Sequence, residues 1–167
     1  MENQHSNRIK IIDLGLSEIV EKSSSLKAER GSIYYLAPEM ILKNYNYKVD
    51  IWSAGIIFYV LLTGKPPFNA VKRDVTGTKH LDTKKIKKLI LEGNVSYGHS
   101  VFQKEGQVLR DLIKTMLHPN PNNRPEAKEL LQHPFFQKQV YVNIDSSGET
   151  KVFFFLFTLI RRNETNF

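Results

Sequence analysis

Cysteine is absent from the 167 residues, so neither a disulfide frame nor a thiolate metal site can form. That absence agrees with a reducing compartment, and a cytoplasmic location is the expectation. The histidines His5, His80, His99, His118 and His133 are scattered, without metal-ligand spacing. His118-Pro119 and His133-Pro134 read as helix endings, and no histidine is assigned a catalytic role. No apolar run reaches the roughly 20 residues that carry a helix across a bilayer. The first residues, Met1-Glu2-Asn3-Gln4-His5, are polar, and no apolar segment follows a basic start, so no secretory signal is expected. No internal repeat is present.

What is present reads as one globular domain with a real core: 41% of the residues are hydrophobic. The net charge is +7, and four of the cations stand together at Lys84, Lys85, Lys87 and Lys88. A basic patch can hold nucleic acid, anionic lipid or acidic peptide. A solvated helix face is the plainer reading. No nucleic-acid-binding motif accompanies the patch, so no nucleic-acid partner is expected.

Residues 8–12, short, β-branched and partly alternating, read as a strand. Residues 16–31 are polar, with Ser23-Ser24-Ser25 at their centre, and read as a mobile loop. Pro38 suits the first turn of a short helix running to about Leu42. Residues 50–62 are the strongest element. Asp50 stands at an N-cap position, and Ile51, Trp52, Ile56, Ile57, Phe58, Val60, Leu61 and Leu62 cover every face. This run stops at Gly64-Lys65-Pro66-Pro67 and is read as a central core helix. Residues 69–82, holding Gly77, read as a loop. Thr83 is expected to cap a helix that continues to Glu92 and ends at Gly93. Leu109, Leu112, Ile113, Met116 and Leu117 stand at helical spacing in 107–117. After the turn cluster Asn120-Pro121-Asn122-Asn123, Pro125 is expected to open a last helix with Ala127, Leu130 and Leu131 facing inward, stopped by His133-Pro134.

Three short signals point further. Ile9-Lys10-Ile11-Ile12-Asp13-Leu14-Gly15-Leu16-Ser17 is an apolar run closed by a carboxylate and a turn. Gly31-Ser32-Ile33-Tyr34-Tyr35-Leu36-Ala37-Pro38-Glu39 follows the polar loop, and Asp50-Ile51-Trp52-Ser53-Ala54-Gly55 opens the core helix. Taken in order, from Arg8 to about Lys138, they resemble the second half of a protein kinase domain of the serine/threonine type. Leu62-Thr63-Gly64-Lys65-Pro66-Pro67-Phe68 and His133-Pro134-Phe135-Phe136 are similar to the calcium/calmodulin-dependent or calcium-dependent group. The expected fold class is mainly α: the C-terminal, helical lobe of a protein kinase-like fold with a short N-terminal strand remnant. Residues 1–138 would be that partial domain, and 139–167 a tail.

The resemblance implies roles. Asp13 would bind the Mg²⁺ that bridges the ATP phosphates, since a hard cation takes oxygen ligands. Leu14 stands where the family usually has Phe and would keep its apolar contact. Gly15, Ser32, Tyr35, Ala37, Pro38 and Glu39 would belong to the activation segment and substrate loop, with Ser32 implying Ser/Thr specificity. Glu39 would pair bidentately with Arg124 in Asn122-Asn123-Arg124-Pro125. Asp50 would receive backbone N–H groups of the catalytic loop, with Trp52 and Gly55 structural beside it. Ser23, Ser24 and Ser25 are candidate phosphorylation sites.

No G-x-G-x-x-G and no H-R-D occurs, and Met1-Glu2-Asn3 resembles the residues that follow the family's catalytic Asn. No catalytic residue is therefore assigned. Exposed apolar surface and poor stability are expected. The reading is a fragment of a serine/threonine protein kinase whose parent uses ATP and Mg²⁺ on protein substrates, with a calcium sensor as a possible regulator. The chain alone is expected to be inactive and to hold no cofactor tightly. The other reading is a non-catalytic kinase-like interaction module. Asn143-Ile144-Asp145-Ser146-Ser147-Gly148 lacks the ligand order of a calcium loop, so calcium binding by the chain itself is not expected. The apolar run 152–160 is too short for a membrane helix; it reads as an added strand, an aggregation-prone segment or non-native sequence, with the last favoured.

Overall fold

A computed structural model describes residues 12–19, 25–104 and 106–137. Pro38–Ile41 forms a single helical turn, α1, with Pro38 at its first position, where its missing N–H costs nothing. Val49–Thr63 is α2, the longest helix. It ends because Gly64 adopts a left-handed φ of 73° and returns its N–H to Val60 O at 2.7 Å. Val71–Arg73 and Lys79–Leu81 are the strands β1 and β2 of an antiparallel hairpin. Thr83–Glu92, Ser100–Lys104, Gly106–Met116, Ala127–Leu130 and Pro134–Gln137 follow as α3 to α7.

The core lies between α2 and α5. Trp52 and Ile56 of α2 and Leu109, Leu112 and Ile113 of α5 are fully buried. Gly55 sets the closeness of that contact. A Cβ on Gly55 would stand 2.8 Å from Leu117 Cδ2 and 2.9 Å from Met116 Cβ. Trp52 stacks on Phe68 beyond the helix end, with ring centroids 5.8 Å apart and planes within 4°.

Several expectations are corrected here. Lys48, not Asp50, caps α2, and Asp50 lies in its first turn. Asp82, not Thr83, caps α3, its Oδ1 accepting the Lys85 N–H at 3.0 Å. The helix expected to be last starts at Ala127 rather than Pro125 and is followed by α7, which Pro134 opens, and of its apolar positions Leu130 is buried while Ala127 and Leu131 face solvent. Helix α2 is not covered on every side: Asp50, Ala54, Ile57 and Leu61, spaced 4, 3 and 4 residues apart, form one exposed stripe. The expected strand over 8–12 lies outside the described residues except for Ile12, which is exposed and in no strand. The tail 139–167 also lies outside them.

Residues 69–82 are a hairpin, not a loop. Each strand has only three residues, all exposed, so no alternation marks them in the sequence. Asp74 makes the turn. Its Oδ1 accepts from Thr76 N, Thr76 Oγ1 and Thr78 N at 2.9, 2.6 and 3.0 Å, and its Oδ2 lies 2.6 Å from His80 Nε2. Hydrogen bonds from the Thr76 hydroxyl and His80, and from the two backbone amides, hold the Asp74 carboxyl down from an ordinary 3.8 to about 2.

Two outcomes are expected. Gly55→Ala forces α2 away from α5 and lowers stability by about 1–3 kcal/mol, read as a drop in the urea midpoint; an unchanged midpoint would mean the helices are not in this close register. A carboxylate depressed in the fold adds stability above its ordinary pKa and loses it as pH falls through the folded value. The hairpin should therefore hold above pH 3.8 and open as pH falls toward about 2, seen as lost amide protection at Thr76 and Thr78. Protection that survives to the bottom of that window would count against the Asp74 turn.

Candidate functional site

Glu39 and Arg124, far apart in sequence, meet in the interior. Glu39 is placed by α1, which Ala37 (fully buried) and Pro38 dock against the core. Arg124 is placed by the turn Pro121–Asn123, which Asn120 caps through Asn122 N at 2.9 Å. Arg124 Nη2 donates to Glu39 Oε2 at 2.5 Å, with both side chains shielded from solvent. The pair is monodentate rather than bidentate. The other guanidinium donors go to main-chain carbonyls: Nε to His118 O at 2.8 Å, Nη1 to Lys48 O at 2.9 Å. Lys48 Nζ in turn donates to Arg124 O at 2.5 Å, and the guanidinium lies 5.4 Å from the Trp52 ring centroid. One arginine thus ties α1, the N-terminus of α2 and the turn before α6 to the core. Lys48 and His118 had no sequence signal, because they act through backbone carbonyls that any residue supplies.

Beside this junction opens a cleft of about 500 Å³. Ser17, Glu18, Arg30, Ser32, Tyr35, Asp50 and Ser53 are among the residues that line it. Gly31 turns the chain there with φ 104°, a conformation that disfavours any side chain. Ser32 precedes a short 3-10 turn, Ile33–Tyr35, without capping it through its side chain. Ser53 Oγ donates to Tyr35 O at 3.0 Å, pinning that turn onto α2. Tyr35 itself is exposed, and Tyr34 reaches Asn69 Oδ1 at 3.3 Å. Arg30 approaches Glu18 at 3.8 Å. Asp50 faces the cleft, and no donor among the described residues reaches its carboxylate; partial desolvation raises its pKa.

Asp13 stands apart from this group. Its backbone is left-handed at φ 60°, which Asp tolerates, and its Oδ1 accepts the Gly15 N–H at 3.1 Å. Leu14 is 69% exposed, so the apolar contact expected of it is not made among the described residues. Among these residues no group of three potential acidic, His or Cys ligands gathers. A Mg²⁺ ion wants octahedral oxygen coordination. One carboxylate with one oxygen already engaged does not supply it, so the described residues alone do not form a metal site. Of the serine run, Ser25 donates to Asn44 Oδ1 at 2.5 Å, while Ser23 and Ser24 lie outside the described residues.

The sequence profile of the protein kinase domain matches residues 1–136. The chain belongs to the protein kinase family. Among similar curated proteins, calcium-dependent protein kinase 14 of Arabidopsis thaliana is 38% identical over 142 residues, 85% of this chain and 25% of that protein. Calcium-dependent protein kinase 24 of the same plant is 34% identical over 152 residues, 89% of this chain and 24% of that protein. Calcium-dependent protein kinase 3 of Oryza sativa subsp. japonica is 36% identical over 134 residues, 80% of this chain and 22% of that protein. The chain therefore spans about a quarter of the length of these relatives. The kinase resemblance read from Asp13-Leu14-Gly15, Ala37-Pro38-Glu39 and Asp50 to Gly55 is a true kinship, and its lean toward the calcium-dependent group agrees with these matches.

Arg124→Met leaves the Glu39 carboxylate buried and uncompensated and should cost about 3–5 kcal/mol, measured by urea denaturation. Adding Glu39→Gln should recover part of that loss. A single Arg124→Met variant as stable as the parent would show that this pair does not hold the junction.

Proposed function

We propose that the chain is the C-terminal, helical lobe of a serine/threonine protein kinase domain, and that its parent transfers the γ-phosphoryl group of ATP to protein hydroxyls with Mg²⁺. The observation that carries the lobe reading is the bare stripe on α2. A helix whose mean composition is this apolar is normally covered all round. Here Ile57 is 49% and Leu61 41% exposed, in line with Ala54 and with the carboxylate of Asp50, which no donor among the described residues reaches. Such a face calls for another helix of the same domain, with main-chain N–H groups over Asp50. The kinase family's catalytic loop supplies donors of that kind, which is why Asp50 is read as its anchor.

In this reading Asp13 is the one metal and cofactor-binding residue the chain contributes, and Gly15 frees the turn that presents it. Ser32, Tyr35, Ala37, Pro38 and Glu39 shape the substrate loop, with Glu39 held through Arg124. The base that accepts the substrate's proton belongs to a part of the kinase domain this chain does not carry. Ser32, as the hydroxyl after Gly31, supports serine and threonine as acceptors. Calcium control, named in the relatives, is proposed for the parent and not for this chain. The lone carboxylate at Asp13 favours a second reading in parallel: by itself the chain is a non-catalytic module.

The test joins the upstream kinase portion of a calcium-dependent relative to this chain. The fusion should phosphorylate a Ser/Thr protein substrate, and Asp13→Asn should abolish transfer while leaving thermal stability unchanged. The chain without that portion should show no Mg-ATP-dependent thermal shift. A folded fusion that transfers no phosphate, or one as active with Asn at 13, would overturn the assignment.

A further inference from the structure

The hairpin and α3 concentrate positive charge in a way that their own secondary structure disfavours. Register places Arg73 opposite Lys79. Like charges directly across an antiparallel pair repel. Strand β2 then runs into α3 through Asp82, and the first turn of α3 carries Lys84 and Lys85 and no acid. A helix N-terminus is the positive end of its dipole, so cations there are again unfavourable. The two carboxylates of this stretch, Asp74 and Asp82, offset only part of it, since they stand against the five cations Lys72, Arg73, Lys79, Lys84 and Lys85. Lys72, Lys79, Lys84 and Lys85 have no ion-pair partner among the described residues and are exposed.

The shape narrows the partner. Every residue of both strands is exposed, and among the described residues no third strand pairs with the ribbon. On one face, the cross-strand pair Val71 and Leu81 offers a small apolar patch, 55% and 44% exposed, directly beside Arg73 and Lys79. A cationic ribbon with one apolar pair fits an extended acidic polypeptide that sets an apolar residue against Val71 and Leu81. A bilayer surface would want aromatic or long apolar side chains at the tip, where Asp74-Val75-Thr76-Gly77-Thr78 offers a valine. Lys87 Nζ, paired to Glu29 Oε1 at 2.6 Å, fixes α3 to the segment that leads into the cleft at Arg30.

We propose that the hairpin Val71–Leu81 together with the first turn of α3 is a docking surface for an extended, acidic segment of a partner protein. The anion relieves the cross-strand and helix-end repulsion, and the apolar pair Val71 and Leu81 sets the register. The surface acts by binding and is independent of any phosphoryl transfer.

The experiment measures fluorescence anisotropy of a labelled peptide of alternating Glu and Val with the full chain. Its Gln-Val counterpart and phosphatidylserine-containing vesicles serve as competitors. The acidic peptide should bind, weaken with added salt, and lose affinity about tenfold or more when Lys72, Lys79, Lys84 and Lys85 are all changed to Gln. Arg at the four positions should restore it, and Lys128→Gln, on exposed α6, should change nothing. Circular dichroism of each variant guards against misfolding. Failure of the acidic peptide to bind, binding that ignores the four lysines, or vesicles that displace it through the same four lysines would each overturn the proposal. Because the readout is binding, a failed kinase fusion leaves this result unaffected.

Discussion

A guanidinium taken out of water must find acceptors for its donors, and in this protein that requirement organises the junction of three segments. Arg124 meets it with a carboxylate from α1, carbonyls from the residues before α2 and α6, and the face of Trp52. The carboxylate comes from α1, Lys48 O and Trp52 from the start of α2, and His118 O from the segment that holds Arg124 itself, so the guanidinium is fully satisfied only when these three segments have docked. The buried pair contributes less by net attraction than by the penalty for breaking it. That penalty fixes where α1 sits, and therefore where the turn Ile33–Tyr35 and the cleft beside it lie.

The same constraint explains why the site looks complete at one end and open at the other. Around Glu39 every wall is present: Ala37, Trp52 and Arg124 are fully buried or nearly so. Around Asp50 no such wall is found among the described residues. Its carboxylate is partly desolvated and meets no donor among them, and the apolar stripe of α2 continues from it in the open. Desolvation without a partner is unfavourable for a charge, which is the physical content of reading this chain as one part of a larger catalytic domain. Asp13 tells the same story from chemistry, a single hard ligand among the described residues where a divalent cation needs several.

The hairpin stands outside that logic. It is small, exposed and held by one carboxylate rather than by a core, so its sequence is free to carry charge that a packed element would not tolerate. Cations stacked across its strands and at the positive end of α3 are an arrangement that stability alone does not favour.

By itself, the sequence determined the family and the main helices, and the resemblance to that family implied the pairing of Glu39 with Arg124. Long apolar periodicities and ordered short motifs leave marks that survive without coordinates. It determined the ends of α3 to within a residue, because Gly93 must take a left-handed φ there. Tertiary structure alone decided the rest. The hairpin was hidden because three-residue strands carry no period, and its turn depends on Asp74 reaching four partners in space. The uncovered side of α2 was hidden because an all-apolar helix does not say which face meets what. Lys48 and His118 were hidden because a carbonyl that accepts from Arg124 is the same in every residue; only the packing of separate segments selects which carbonyls those are.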